Sequence, residues 1–124
     1  DRRGIAVVHD YPASQCALAK LRAGGGDEPT IAERFELFLG PLELANGYHE
    51  LTDAEEQRVR FLRDHHLRSS RGLALPPADE ALLAAMTSGL PACAGVALGV
   101  ERLLMAMLGT DRIADVLSFD FARS

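Results

Sequence analysis

The sequence has no tryptophan, and aromatic residues make up only 6% of its 124 positions. Its two cysteines, Cys16 and Cys93, stand apart, with no C-x-x-C pair and no histidine at ligand spacing. That excludes a disulfide framework and a thiolate zinc site, and it fits a reducing cytoplasm. No apolar run approaches the roughly 20 residues of a membrane helix, and the opening Asp1-Arg2-Arg3-Gly4 lacks the apolar core of a signal peptide. Positive charge is in the minority, 13 Lys and Arg against 18 Asp and Glu, for a net charge of -5. Such a balance argues against holding nucleic acid or a membrane by bulk charge, and leaves local nucleotide binding or a protein partner open. The glycine run Gly24 to Gly26 is not followed by Lys and Ser/Thr in P-loop order, so it reads as a surface loop. There is also no initiator methionine, and the chain is expected to be cut from a longer protein.

What is present suits a single globular domain over residues 1–124, with 48% hydrophobic and 25% charged residues. Ile5 to His9 is a β-branched run that reads as a buried strand. Ser14 to Leu21 has helical spacing over a short length. Glu33 to Leu39 and Leu42 to Leu51 read as a hairpin joined at Gly40-Pro41. A helix follows from about Asp53 to Leu67, capped by Thr52 with Glu55 completing the capping box. Val59, Phe61, Leu62, His66 and Leu67 form its packing side, and Arg58, Arg60, Arg63 and Arg68 its solvated side. Asp79 caps a second helix around Ala81 to Met86. A third runs from about Val100 to Gly109, and Asp111 to Phe121 docks through Ile113, Val116, Leu117 and Phe119. The class implied is α+β, an antiparallel sheet flanked by helices.

Two stretches carry chemistry. If Gly40-Pro41 is the turn, position 39 faces 42 and 36 faces 45, so Glu36 and Glu43 lie diagonally on one face, roughly 7 to 8 Å apart. Carboxylates that close repel unless a cation lies between them, and magnesium favours such oxygen ligands. The same pair also reads as two solvated carboxylates. Asn46, Tyr48 and Glu50 offer an amide, an aromatic wall and a charged acceptor, a set suited to an ammonium group. Strict alternation, however, turns these three away from Glu43. In the second stretch, Gly95, Ala97 and Gly99 alternate, giving a strand face almost bare of side chains on which a ligand can lie flat. Val96, Leu98 and Val100 then pack behind it. Arg102, on the first turn of the next helix, can stack on a base or hold a phosphate.

Together these stretches resemble the end of a class II aminoacyl-tRNA synthetase catalytic domain of the lysine type, over about Tyr11 to Phe121. The Gly95 to Arg102 segment resembles the third signature motif of that class. Glu33 to Leu51 resembles the hairpin that lysyl enzymes use for magnesium, ATP and the amino acid. The resemblance implies a partial class II catalytic fold with the third motif and without the first two, expected to be weakly active or inactive alone and homodimeric at full length. It implies activation of an amino acid by ATP to an aminoacyl-adenylate. Glu36 and Glu43 would hold magnesium, and Arg102, the catalytic residue, would bind ATP together with Glu36, Glu43 and Gly99. Asn46, Tyr48, Glu50, Gly95 and Ala97 would meet the amino acid. One pocket for all of them requires a bulge or sharp twist near Ala45-Asn46-Gly47.

Ala97 departs from the glycine usual in lysyl enzymes. That alanine, the run Asn46 to Leu51 and the run Tyr11 to Gln15 are similar to a bacterial branch of the family that joins (R)-β-lysine to a lysine of elongation factor P. The alternatives are α-lysine carried to tRNA-Lys, and a non-catalytic binding module.

Overall fold

The computed structural model describes residues 4–120, in which the β-branched and aromatic runs assemble one antiparallel sheet. Its strands are β1 (Ile5–Pro12), β2 (Leu21–Arg22), β3 (Ile31–Leu39), β4 (Leu42–His49) and β5 (Ala94–Leu98). The order is β1-β3-β4-β5, and β2 pairs with the start of β3. Three helices accompany it, α1 (Ala54–Ser70), α2 (Glu80–Thr87) and α3 (Val100–Leu108), which gives the α+β class expected.

The β3–β4 hairpin turns where expected, with Leu39 opposite Leu42 and Gly40 at φ 57°, a left-handed conformation that glycine adopts without a Cβ clash. Beyond the turn the register departs from a regular ladder. Phe38 faces Glu43, but Leu37 faces Ala45 and Glu36 faces Asn46, so Leu44 is an extra residue in β4. The expected bulge exists, slightly nearer the turn than Ala45 to Gly47. It forms at Leu44 because its parts are satisfied there. The Leu44 side chain is buried, its carbonyl accepts from Gly99 N at 2.9 Å, and the neighbouring Glu43 carbonyl accepts from Arg102 Nη1 at 2.8 Å.

Helix ends follow the capping chemistry, with one correction. The cap of α1 is Asp53, whose Oδ1 accepts from Glu55 N at 2.9 Å and Glu56 N at 3.1 Å, in place of Thr52. A carboxylate also interacts favourably with the positive end of the helix dipole, which a hydroxyl does only weakly. Asp79 caps α2 by accepting from Leu82 N, and Gly109 ends α3 at φ 70°. Ser14 to Leu21 forms no α-helix. A 3-10 turn at Ala13–Gln15 leads into tight turns with Ala17 at φ 47°, and Ala19 bridges to Glu50.

The core gathers Ala19, Ala32, Leu44, Ala45, Leu51, Leu83 and Met86. Three expectations about packing are overturned. Ile5, Val7 and Val8 are exposed, because β1 packs extensively only against its neighbour β3 and little covers its faces among the described residues. Val96, Leu98 and Val100 are exposed too, Val96 at 63%, since β5 is an edge of the sheet and α3 stands over a different part of it, where Leu103, Ala106 and Met107 face Ile5, Leu37, Leu39 and Leu44. In the last segment Val116 and Leu117 are half-buried, Ile113 and Phe119 are exposed, and Phe121 lies outside the described residues.

Helix α1 also presents another face than its apolar residues suggest. Val59 and Leu62 are exposed, while Gln57 at 2% and Arg60 at 7% exposure are buried. Arg60 Nη1 donates to the carbonyls of Ala17 at 2.9 Å and Ala19 at 2.7 Å, and its guanidinium is held by Glu56. The turns around Ala17 leave carbonyls that no strand satisfies, and the arginine fork answers them. Arg60→Met is therefore expected to destabilise the protein by about 2 to 3 kcal/mol in urea unfolding. Arg63→Met, which removes no such bond, is the control, and equal stability of the two variants would contradict this role.

Candidate functional site

Directly opposite residues of an antiparallel pair share a face, so the register decides which side chains meet. Arg34, Glu36 and Phe38 of β3 face Tyr48, Asn46 and Glu43 of β4, and Asn46 and Tyr48 face Ala97 and Gly95 of β5. The extra residue Leu44 reverses the alternation between Glu43 and Asn46 and brings both to one face. Sequence reasoning put these groups on opposite faces of a regular strand, and the bulge resolves the conflict. A second irregularity, between His9 and Tyr11 with Asp10 at φ 59°, sets Tyr11 opposite Ala32, and its hydroxyl reaches Glu36. His49, bonded to Glu33, shares the other face with Phe35.

One end of this face is built from Glu43, Gly99 and Arg102. The Arg102 side chain folds over Gly99, where a Cβ would lie 3.2 Å from its Cδ. Its Nη1 is 2.8 Å from the Glu43 carbonyl and 3.8 Å from Glu43 Oε2, and about half of the side chain stays open to solvent. At the other end, the Glu50 carboxylate crosses Gly95, where an added Cβ would come within 2.5 Å of Oε1. Glycine there makes room for the carboxylate. Glu50 is half-buried, and its carboxylate has no hydrogen-bond or ion-pair partner among the described residues. Tyr48 stands beside it, opposite Gly95.

Between the two ends lies a closed polar cluster. Glu36 Oε2 accepts from Tyr11 OH at 2.6 Å, and Oε1 accepts from Asn46 Nδ2 at 3.2 Å and from Arg34 Nη2. Arg34 was not a candidate on sequence grounds, although its spacing of two from Glu36 on a strand puts it on the same face. Its guanidinium carbon lies 4.5 Å from the centre of the Tyr11 ring and 5.7 Å from that of Tyr48, and Nη1 donates to Gln15 O at 3.0 Å. Two buried atoms of the cluster have no hydrogen-bond partner among the described residues, Arg34 Nε and Asn46 Oδ1.

Among the described residues no group of three or more His, Cys, Asp or Glu forms a ready-made metal cage. Magnesium bound together with phosphate needs only one or two carboxylates. Glu36 Oε2 accepts from one protein donor, Tyr11 OH, and Glu43 Oε2 lies 3.8 Å from Arg102 Nη1, so each carboxylate keeps a lone pair.

A comparison with known families matches residues 1–123 to the model for class II tRNA synthetases (D, K and N). Curated relatives include the elongation factor P--(R)-beta-lysine ligases of three bacteria. That of Proteus mirabilis is 50% identical over 117 residues, covering 94% of this chain and 35% of the relative. That of Pectobacterium atrosepticum is 48% identical over 119 residues, covering 96% and 36%. That of Mannheimia succiniciproducens is 52% identical over 114 residues, covering 92% and 34%. The chain spans about a third of the length of the curated relatives it matches. No helix among the described residues is long and apolar enough to cross a membrane.

The cluster has a spectroscopic signature. Desolvation of Tyr11, and next its hydrogen bond to the Glu36 carboxylate, raise the phenol above its ordinary pKa of 10.0. The protonated phenol thus adds stability that is complete below the ordinary value and is lost as pH rises through the raised one. Titration of the two tyrosines by ultraviolet absorbance is expected to find Tyr11 ionising later than a free phenol and Glu36→Gln bringing it earlier. An ordinary Tyr11 titration with Glu36 intact would contradict the cluster.

Proposed function

Because the chain belongs to the class II tRNA synthetases (D, K and N), we propose that it is the C-terminal part of a catalytic domain that activates (R)-β-lysine with ATP and passes it to a lysine of elongation factor P. The names of the relatives support this acceptor and this amino acid. In its full-length form the protein would be a cytoplasmic, homodimeric ligase.

The observation that carries the reading is Glu50, a half-buried carboxylate laid over Gly95 without a partner among the described residues. A half-buried carboxylate keeps its acceptor oxygens free for a charged donor, and a substrate ammonium is such a donor. Tyr48 gives the ammonium an aromatic wall, Asn46 contributes an amide beside it, and Gly95 and Ala97 give a floor. At the far end of the same face, Gly99 lets the nucleotide approach the backbone, and Arg102 caps the adenine and reaches the terminal phosphate. The amino-acid carboxylate then attacks the α-phosphorus, pyrophosphate leaves, and the acceptor amine displaces AMP from the acyl carbon. Magnesium on Glu36 and Glu43 would neutralise charge on the phosphates. The work of these residues is alignment and charge stabilisation, since the reacting groups belong to the substrates.

ATP-pyrophosphate exchange by the full-length protein tests this, with (R)-β-lysine and α-lysine compared at equal ATP and magnesium. Exchange with a preference for β-lysine is expected, and Glu50→Gln should lower kcat/KM by about 30- to 150-fold, the loss of a charged hydrogen bond of about 2 to 3 kcal/mol. Ala97→Gly should move the preference toward α-lysine by about 10- to 200-fold, the range for one methyl group in a pocket. A wild-type preference for α-lysine would move the assignment to tRNA aminoacylation, and exchange with neither would leave a binding module.

A further inference from the structure

Glu50 lies just past the end of β4, and its backbone is held from two sides. On the β5 side its own N–H donates to Cys93 O at 2.9 Å. On the other side its neighbour is the turn segment Leu18 to Lys20. Leu51 N donates to Leu18 O at 3.0 Å and Lys20 N donates to His49 O at 2.8 Å, with Ala19 directly opposite Glu50. Directly opposite residues share a face, so the buried Ala19 methyl lies beside the Glu50 side chain.

In such a pairing the N–H and carbonyl of Ala19 itself point away from Glu50, and each needs a partner. The N–H donates to Cys16 O at 2.7 Å, and the carbonyl accepts from Arg60 Nη1 at 2.7 Å. The same Nη1 donates at 2.9 Å to the carbonyl of Ala17, whose φ of 47° is a left-handed conformation that costs an alanine free energy. Arg60 thus stands where the next strand would be. Glu56 holds its Nε at 3.1 Å and bonds its Nη2 as well, and only 9% of the arginine side chain is exposed. The chain closes the circuit, because α1, which carries Arg60, follows Glu50 after Leu51 to Asp53.

We propose that Arg60 is a positioning residue for the amino acid, acting on the Glu50 carboxylate through the turn from Ala17 to Lys20. This rests on the reading of Glu50 as the acceptor for a substrate ammonium, and it gives Arg60 a task beyond stabilising the fold. Arg60 bonds the turn and Glu56, not Glu50 itself. The nucleotide end of the face is held separately, by the bonds from Gly99 and Arg102 to the Leu44 and Glu43 carbonyls. The influence of Arg60 therefore falls on the amino acid and not on ATP.

The test is isothermal titration calorimetry of the full-length protein with (R)-β-lysine and with α-lysine, and separately with ATP, at a temperature where circular dichroism shows each variant folded. Arg60→Met is expected to weaken binding of the preferred amino acid about tenfold, with ATP affinity held within about twofold. Arg60→Lys keeps a donor for the carbonyls but loses the paired bond to Glu56, so it should weaken binding only about threefold. It replaces the methionine variant throughout if that variant fails to fold. Arg60→Met combined with Glu50→Gln should bind no more weakly than Glu50→Gln alone, because one acts through the other. A purely structural arginine lowers the melting temperature and leaves the amino-acid affinity of the folded protein unchanged. That result, additive losses in the double variant, or an equal loss of ATP affinity would overturn the positioning role while the amino-acid site stands. Wild-type protein that binds neither amino acid would overturn the site and the positioning role together.

Discussion

One extra residue in β4 determines what the rest of this sheet can be used for. A regular β4 would divide the polar groups of the hairpin between two faces, with Glu43 on one and Asn46 and Tyr48 on the other. Leu44 removes the conflict by taking its own side chain into the core, so that the polar residues before and after it share the opposite face. A bulge leaves backbone groups that the ladder cannot satisfy, and here the start of α3 satisfies them. Gly99 N bonds the Leu44 carbonyl and Arg102 the Glu43 carbonyl. Strand β5 and helix α3 are thereby held to the site they complete, and Arg102 arrives beside Glu43 as part of the same construction.

On the face so formed, three carboxylates stand in three electrostatic conditions. Glu36 is enclosed by Tyr11, Arg34 and Asn46, and its place is determined by the fold. Glu43 is more open, with Arg102 near it at 3.8 Å. Glu50 lies over a glycine with no cationic partner among the described residues. The enclosed carboxylate lies in the middle of the face, opposite Asn46, and the two less satisfied ones lie at its ends, Glu43 beside Arg102 and Glu50 over Gly95.

Much of this was legible in the chain because it depends on local chemistry. The Gly40-Pro41 turn, the alternating Gly95, Ala97 and Gly99, the Asp79 cap and the glycine stop at Gly109 each follow from a backbone requirement that few residues meet. The need for a bulge was legible too, as a contradiction between spacing and pocket, but its place was not. That depended on which carbonyls α3 could reach. Arg60 was misread because a long cation on a helix surface usually meets water, and the carbonyls that bury it come from turns some forty positions earlier. Arg34 was passed over because nothing in its neighbourhood announces two tyrosines from other strands. Val96 and Leu98 were expected in the core because strand alternation identifies a face without saying whether anything covers it.

The measurement that bears most directly on the central claim is the cross-strand pairing of Glu36, read from nuclear Overhauser contacts between β3 and β4 backbone protons. The bulged register predicts Glu36 directly opposite Asn46, with Phe38 opposite Glu43 and Leu44 unmatched. A regular ladder, with Glu36 opposite Ala45 and Leu37 opposite Leu44, would place Asn46 and Tyr48 on the face away from Glu43 and remove the shared site.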